Sequence, residues 1–140
     1  MADVFISYSR KNKDFVLKLH EALNKFGKTD WVDWEDIPPA APWSEEVKSA
    51  IESSDSFIFV ISKDSAASSE CRLEIENAVK QNKRLIPIVR EKVDDKAVHE
   101  KLRIPKWIFF CEDDDFESSF AKLISAIDTD LEWVKAIHVC

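Results

Sequence analysis

The chain has 140 residues, of which 45% are hydrophobic and 34% are charged, and its net charge is −7. This length and composition predict a single folded domain rather than a disordered chain. An acidic chain is a poor match for nucleic acid, and no apolar run reaches the roughly 18 residues that a membrane span needs. Gly27 is the only glycine. The glycine-rich loops that cradle phosphates are therefore absent.

The first half of the chain alternates apolar strands with amphipathic helices. Residues 3–8 are predicted to form the first strand, and apolar residues at helical spacing predict a helix over residues 15–26. Gly27 follows that helix at the position of a left-handed C-cap residue. Residues 31–34 predict a short edge strand, and a loop stiffened by prolines follows over residues 35–42.

The second half continues the same alternation. The continuous apolar run over residues 57–61 is typical of a central parallel strand that is covered on both faces. Two further strands are predicted over residues 85–89 and 107–110, and the last helix over residues 116–127. Strict alternation of strands and helices predicts an α/β fold with a doubly wound parallel sheet, whose ligands bind beyond the carboxyl ends of the strands.

The sequence gives little support to a metal site or to a catalytic nucleophile. No His or Cys pair has the spacing of metal ligands, so no metal site is predicted. Cys71 lies on the apolar side of its predicted helix, which indicates a buried, inert thiol.

The odd, scattered cysteines and the lack of a signal-peptide pattern favour a cytoplasmic location. A phosphorelay receiver domain has the same predicted architecture, but it needs an aspartate at the end of the third strand. Here the third strand ends at residue 61 and Asp64 follows only later, so the sequence gives a receiver little support.

One carboxylate, Glu74, falls in the second turn of a helix that is predicted to start near Ser68 or Ser69. Glu70 precedes it by one turn on the same face, and such a like-charge pair is mildly unfavourable in an ordinary helix. From its position alone, Glu74 is an ordinary solvated helix carboxylate near the carboxyl end of the sheet.

Four ordered segments together resemble a Toll/interleukin-1 receptor (TIR) domain, most closely the bacterial type. They are residues 3–10, residues 34–43, the strand and following segment over residues 57–74, and residues 106–107. The resemblance covers about residues 2–127. It implies a flavodoxin-like five-stranded parallel sheet of order 2-1-3-4-5 with helices on both faces. It also implies a single TIR domain over residues 1–140. The helical apolar pattern continues to Ile137, and we therefore expect residues 128–140 to form a C-terminal helical extension toward a further domain.

Members of this family are of two functional classes. Some are adaptors that only assemble with other TIR domains. Others cleave NAD+ at the bond between nicotinamide and ribose, giving nicotinamide and ADP-ribose or a cyclic isomer, and bacterial members of this kind act in antiviral defence. In the enzymes a catalytic glutamate stands three residues after a cysteine or its equivalent, and Cys71 and Glu74 match that spacing. The resemblance therefore implies an NAD+ nucleosidase with Glu74 as catalytic residue, NAD+ as substrate and no cofactor.

The resemblance also implies roles for residues of the strand ends and loops. The substrate-binding candidates are Ser7, Tyr8, Arg10, Trp34, Asp36 and Trp43. Pro38 and Pro39 belong to the loop implied to mediate self-association with other TIR domains. Trp43 is equally explained as a core anchor of the second helix. Expected partners are thus NAD+ and other TIR domains, with no nucleic acid and no membrane.

Two departures from the family pattern keep both functional classes open. Glu70 stands where many enzymatic relatives have tryptophan, and prolines and alanines over residues 38–42 replace the usual glycine of the loop. The first hypothesis is an NAD+ glycohydrolase or cyclase, and the alternative is a non-catalytic adaptor that acts through TIR–TIR assembly.

Overall fold

A computed structural model of the chain describes residues 2–34 and 45–129. Five parallel strands form one sheet in the order β2-β1-β3-β4-β5. The strands are β1 (Val4–Ser7), β2 (Asp30–Val32), β3 (Ser56–Ile61), β4 (Arg84–Val89) and β5 (Ile108–Phe109). The predicted fold class and strand order are therefore confirmed.

Among the described residues, five α-helices cover the two faces of the sheet; four of them lie between strands, and the last follows β5. They are α1 (Lys13–Lys25), α2 (Glu45–Ser53), α3 (Lys63–Ala67), α4 (Ser69–Lys80) and α5 (Phe116–Asp128). No helix is predicted above over the α3 segment. It forms a short helix because the side chain of Ser62 accepts from the amide of Ser65, and the Ser65 side chain accepts from the amide of Ser62.

Two apolar layers result because successive strand residues point to opposite faces of the sheet. Val4 and Ile6 of β1 pack with α1 and α5 in one layer. Phe5, between them, packs with α2 and α4 in the other, where its ring stacks on those of Trp31 and Phe57. Every residue of β3 is buried, which confirms the predicted central strand.

Local conformations support the predicted connections. Gly27 follows α1 with φ of 77°, which confirms the left-handed position. Pro87 lies in β4 just before the two residues that pair with β5, and among the described residues it has no strand on its outer side, so the loss of its amide donor is tolerated. Among residues 2–34 and 45–129, no helix is long and apolar enough to cross a membrane. The carboxyl ends of β1 and β3 and the start of α4 meet at one end of the sheet, where the predicted site lies.

Candidate functional site

The site centres on a hydrogen bond between β1 and α4. Ser7 ends β1, and its Oγ donates to Oε1 of Glu74 over 2.6 Å. Both side chains are buried, with Ser7 1% and Glu74 7% exposed. Glu74 is thus not the solvated helix carboxylate that its position in the sequence indicates. It points into the protein against the end of the neighbouring strand.

The start of α4 fixes where Glu74 points. Ser68 caps this helix, and its Oγ accepts from the amide of Cys71 over 3.2 Å. Cys71 then packs in the apolar layer beneath, and its thiol contacts the carbonyl of Tyr8 at 3.5 Å. Since Glu74 follows Cys71 by three residues, nearly one helical turn, it faces the same strand end.

Burial raises the pKa of Glu74 to about 7, because the carboxylate loses water when it is enclosed. The Ser7 hydroxyl opposes this rise by donating to the ionised form, whereas the nearby charges of Asp33 and Glu70 add to it. Arg10 lowers the pKa by its positive charge. Glu74 is therefore poised to ionise near neutral pH, as functional carboxylates frequently are.

A cleft of about 250 Å³ opens above Glu74. It is lined by Ile6, Tyr8, Ser9, Arg10, Lys11, Asp33, Ser68, Glu70, Cys71 and Glu74. Three carboxylates and two cationic side chains share this small space, so a ligand with both a positive and a negative part would find complementary charges. The structure brings the predicted residues Tyr8 and Arg10 into this cleft beside Glu74.

Tyr8 and Arg10 also hold the chain where β2 ends. The Tyr8 hydroxyl donates to the carbonyl of Asp33 over 2.6 Å, and Nη1 of Arg10 donates to the carbonyl of Trp34 over 3.1 Å. The Trp34 ring packs edge-on against the rings of Tyr8 and His20. These contacts hold the chain from the end of β2 to Trp34.

The remaining predicted site residues, Asp36, Pro38, Pro39 and Trp43, lie outside the described residues. Sequence reasoning missed Asp33 and Lys11, which line the cleft. Asp33 follows the carboxyl end of an edge strand, which in this kind of fold is a signal for a site residue.

The Cys71 thiol is unsuited to nucleophilic chemistry. Burial and the neighbouring charge of Glu74 raise its pKa to about 12, so it is protonated at neutral pH. The structure confirms that Cys71 is buried, as predicted. In the parts of the chain that the structure describes, no group of three or more His, Cys, Asp or Glu side chains has the arrangement of a metal site.

Comparison with known proteins assigns the family. The family model of the TIR domain matches residues 4–124. The chain belongs to the TIR domain family. No curated protein matches the sequence significantly.

Solved structures agree with this assignment at the level of the fold. The TIR domain of the Toll-related receptor TRR-2 from Hydra magnipapillata is 23% identical, with a TM-score of 0.75 over 92% of this chain and 100% of that one. A metazoan TIR-STING receptor from C. gigas in complex with 2′,3′-cGAMP is 26% identical, with a TM-score of 0.73 over 94% of this chain. This chain spans only 40% of that receptor.

Two further solved structures widen the range of similar folds. The TIR domains of the activated Roq1 resistosome are 23% identical, with a TM-score of 0.57 over 96% of this chain and 77% of that one. A prokaryotic SEFIR domain is 20% identical, with a TM-score of 0.70 over 94% of this chain and 95% of that one. Metazoan and prokaryotic proteins thus share the fold.

Proposed function

We propose that this TIR domain cleaves the nicotinamide–ribose bond of NAD+, giving nicotinamide and ADP-ribose or a cyclic isomer. The observation that carries the proposal is the buried Glu74 carboxylate, held by Ser7 beneath a charged cleft at the carboxyl end of the sheet. Family membership supports it, since enzymatic TIR domains carry a glutamate at the same spacing from a cysteine. By analogy with the bacterial NAD-cleaving class, we propose that the reaction serves defence signalling in the cytoplasm.

The reaction suits a single carboxylate. The bond between C1′ of the ribose and the nicotinamide nitrogen breaks, and its electron pair leaves with the nicotinamide. Because this ring is cationic in NAD+, its departure as a neutral molecule needs no added proton. Positive charge then develops on the ribose, as in glycoside cleavage, and an ionised Glu74 stabilises it. Water, or a nucleophile within the same molecule, completes the reaction at C1′.

The charges of the cleft support NAD+ as the substrate class. Asp33, Glu70 and Glu74 favour the cationic nicotinamide end, whereas Arg10 and Lys11 are donors for the pyrophosphate. Arg10 also donates to the Trp34 carbonyl, and a guanidinium group has five N–H donors in all. At about 250 Å³ the cleft is smaller than the roughly 300–1,000 Å³ of ordinary ligand sites. We infer that it accommodates the nicotinamide–ribose half, and that the rest of NAD+ extends beyond it.

The second candidate is a non-catalytic adaptor that acts by TIR–TIR assembly. Glu70 favours it, because this carboxylate adds negative charge where many enzymatic relatives have a tryptophan. Glu70 is the third carboxylate in this small cleft, and its negative charge raises the pKa of Glu74. A smaller fraction of Glu74 is then ionised and able to stabilise the transition state. The TIR domains of the Roq1 resistosome belong to an assembled complex and share this fold.

Nicotinamide release from NAD+ by the purified protein separates the two candidates. Glu74→Gln keeps the shape and removes the charge, and should lower the rate by about 100-fold or more. Glu70→Gln is the matched control, one turn away with the same charge change, and should stay within a few-fold of the wild type. Equal losses in both variants would show that local charge matters rather than Glu74 itself. Absence of nicotinamide from the concentrated wild type would support the adaptor.

A further inference from the structure

A histidine–aspartate pair joins α1 to β2. Nδ1 of His20, in α1, lies 2.8 Å from Oδ1 and 2.9 Å from Oδ2 of Asp30, the first residue of β2. The side chain of Asp30 is 2% exposed and that of His20 is 34% exposed. Because both oxygens of a carboxylate accept hydrogen bonds, Nδ1 carries the proton and donates to Asp30.

This hydrogen bond holds the His20 ring in one orientation. A buried carboxylate needs a donor, since it has lost its water. Asn24 is a weaker donor, because its Nδ2 lies 3.5 Å from Oδ1 of Asp30 and also donates to the carbonyl of His20 over 2.8 Å. Among the residues that the structure describes, the short hydrogen bond to Asp30 thus comes from His20. Turning the ring would take this donor away from a buried carboxylate.

The oriented ring of His20 packs against the indole of Trp34. Their ring centroids lie 5.6 Å apart with an angle of 80° between the planes, which is the favourable edge-to-face arrangement. The indole also packs edge-on against the ring of Tyr8, at 6.1 Å and 60°. Trp34 is therefore placed by one side chain of α1 and by one side chain of the cleft.

The backbone beside this indole holds two side chains of the cleft. The Trp34 carbonyl accepts from Nη1 of Arg10, and the preceding carbonyl, that of Asp33, accepts from the Tyr8 hydroxyl. Tyr8, Arg10 and Asp33 all line the cleft, whereas Trp34 is not among the described residues that do so. A displacement of the indole is thus passed to the cleft through its own backbone.

We propose that His20 is a positioning residue that acts on the cleft through Trp34. Neither His20 nor Asp30 is among the described residues that line the cleft. Asp30 orients the imidazole, the imidazole places the indole, and the Trp34 carbonyl holds Arg10. The consequence for NAD+ rests on the proposed function, in which the Arg10 guanidinium is a donor for the pyrophosphate. His20 then serves substrate binding, while Ser7 and Glu74 serve the chemical step.

His20→Asn tests the contact between the two rings. The asparagine amide offers a donor near the former place of Nδ1, so Asp30 keeps a partner, whereas the ring edge against Trp34 is lost. We expect KM for NAD+ to rise by about fivefold, with kcat within about twofold of the wild type. This split follows because the hydrogen bond between Ser7 and Glu74 lies on other elements.

NMR of the whole protein without ligand gives a second readout that does not depend on catalysis. In His20→Asn, the indole N–H signal of Trp34 and the Nε–H signal of Arg10 should both move. His99→Asn is the matched control, because His99 caps a short helical turn through Nδ1 and is not among the described residues that line the cleft. It should leave KM and both signals unchanged.

A double-mutant cycle tests whether the effect passes through Trp34. Trp34→Leu alone should raise KM at least as much as His20→Asn. In the Trp34→Leu background, His20→Asn should then have no further effect on KM or on the Arg10 signal.

Two results would overturn the proposal. The first is a His20→Asn protein whose Arg10 signal and KM match those of the wild type. The second is an effect of His20→Asn that is equally large with and without Trp34, which would mean that His20 acts by another route. If the wild type releases no nicotinamide while His20→Asn still moves the Arg10 signal through Trp34, the proposed function fails and the positioning role of His20 stands.

Discussion

Oγ of Ser7 donates to Oε1 of Glu74 over 2.6 Å, although 67 positions separate the two residues in the sequence. Ser7 is only 1% exposed, so its hydroxyl makes this hydrogen bond inside the protein rather than with solvent. Ser7 thus acts on the proposed reaction through Glu74. It holds the carboxylate in one orientation and favours its ionised form, since a donor to a carboxylate lowers its pKa.

Ser7→Ala should therefore move the pH dependence of NAD+ cleavage to higher pH. Loss of the donated hydrogen bond raises the pKa of Glu74 above about 7, so a smaller fraction is ionised at neutral pH. We expect a several-fold lower rate near pH 7 that recovers as the pH rises. A pH titration of the Glu74 carboxyl carbon signal by NMR should show the same rise in the pKa, and this measurement does not rely on activity. Ser119→Ala is the control, because Ser119 is also buried and donates to the distant carbonyl of Phe109. An unchanged pH profile in Ser7→Ala would refute the role of the hydroxyl.

Stability should depend on pH through Glu74. The pKa of this group is about 7 in the folded protein against an ordinary 4.5, so the folded state binds the proton more tightly. The free energy of unfolding then falls as the pH rises from about 4.5 to about 7, by up to about 3 kcal/mol at about 1.4 kcal/mol per pKa unit. Glu74→Gln abolishes this loss.

Urea unfolding of the wild type and Glu74→Gln at several pH values measures the effect. The stability of the variant relative to the wild type should increase from about pH 4 to about pH 8. Glu70→Gln, at an exposed position, should show no comparable trend. Parallel pH curves for the wild type and Glu74→Gln would mean that Glu74 ionises normally in the folded protein.

Gly27→Ala should destabilise the protein by about 1 kcal/mol. The reason is conformational rather than steric: among the described residues, chain neighbours aside, no atom lies within 4 Å of an added Cβ, whereas φ is +77°. Chemical denaturation measures the loss. Lys25→Ala, at an exposed position in α1, is the control and should change stability by only a few tenths of a kcal/mol. A neutral Gly27→Ala would contradict the requirement for a left-handed residue.

Specific NADase activity should rise with protein concentration. The family resemblance implies self-association, and the cleft over Glu74 is small for the whole of NAD+. A dilution series, followed in parallel by sedimentation, should show activity and assembly increasing together. Constant specific activity across the series would count against completion of the site by a neighbouring subunit.

NAD+ cleavage should continue in the presence of a metal chelator. The leaving nicotinamide departs as a neutral molecule and needs no Lewis acid to accept its electrons. The measurement is the rate of nicotinamide release with and without chelator. Loss of activity that magnesium or zinc restores would contradict this expectation.

The sequence was enough to predict the fold because its signals are local. The apolar run over residues 57–61 predicts the buried β3, and the helical spacing of apolar residues over 15–26 predicts α1. Gly27 likewise marks the end of α1 through its own backbone requirement. Boundaries were less certain, since β2 covers Asp30–Val32 rather than the predicted residues 31–34. Hydrogen bonding between strands, which a one-dimensional pattern lacks, sets those ends.

The sequence by itself determined the alternating strands and helices, the family resemblance and Glu74 as the candidate residue. Only the tertiary structure decided that Glu74 is buried, that Ser7 holds it and that Asp33 lies near it. The periodicity of apolar residues in the sequence indicates which face of a helix or strand meets the core. Burial, hydrogen bonding and charge depend on distances in space, and these exist only once the elements have packed.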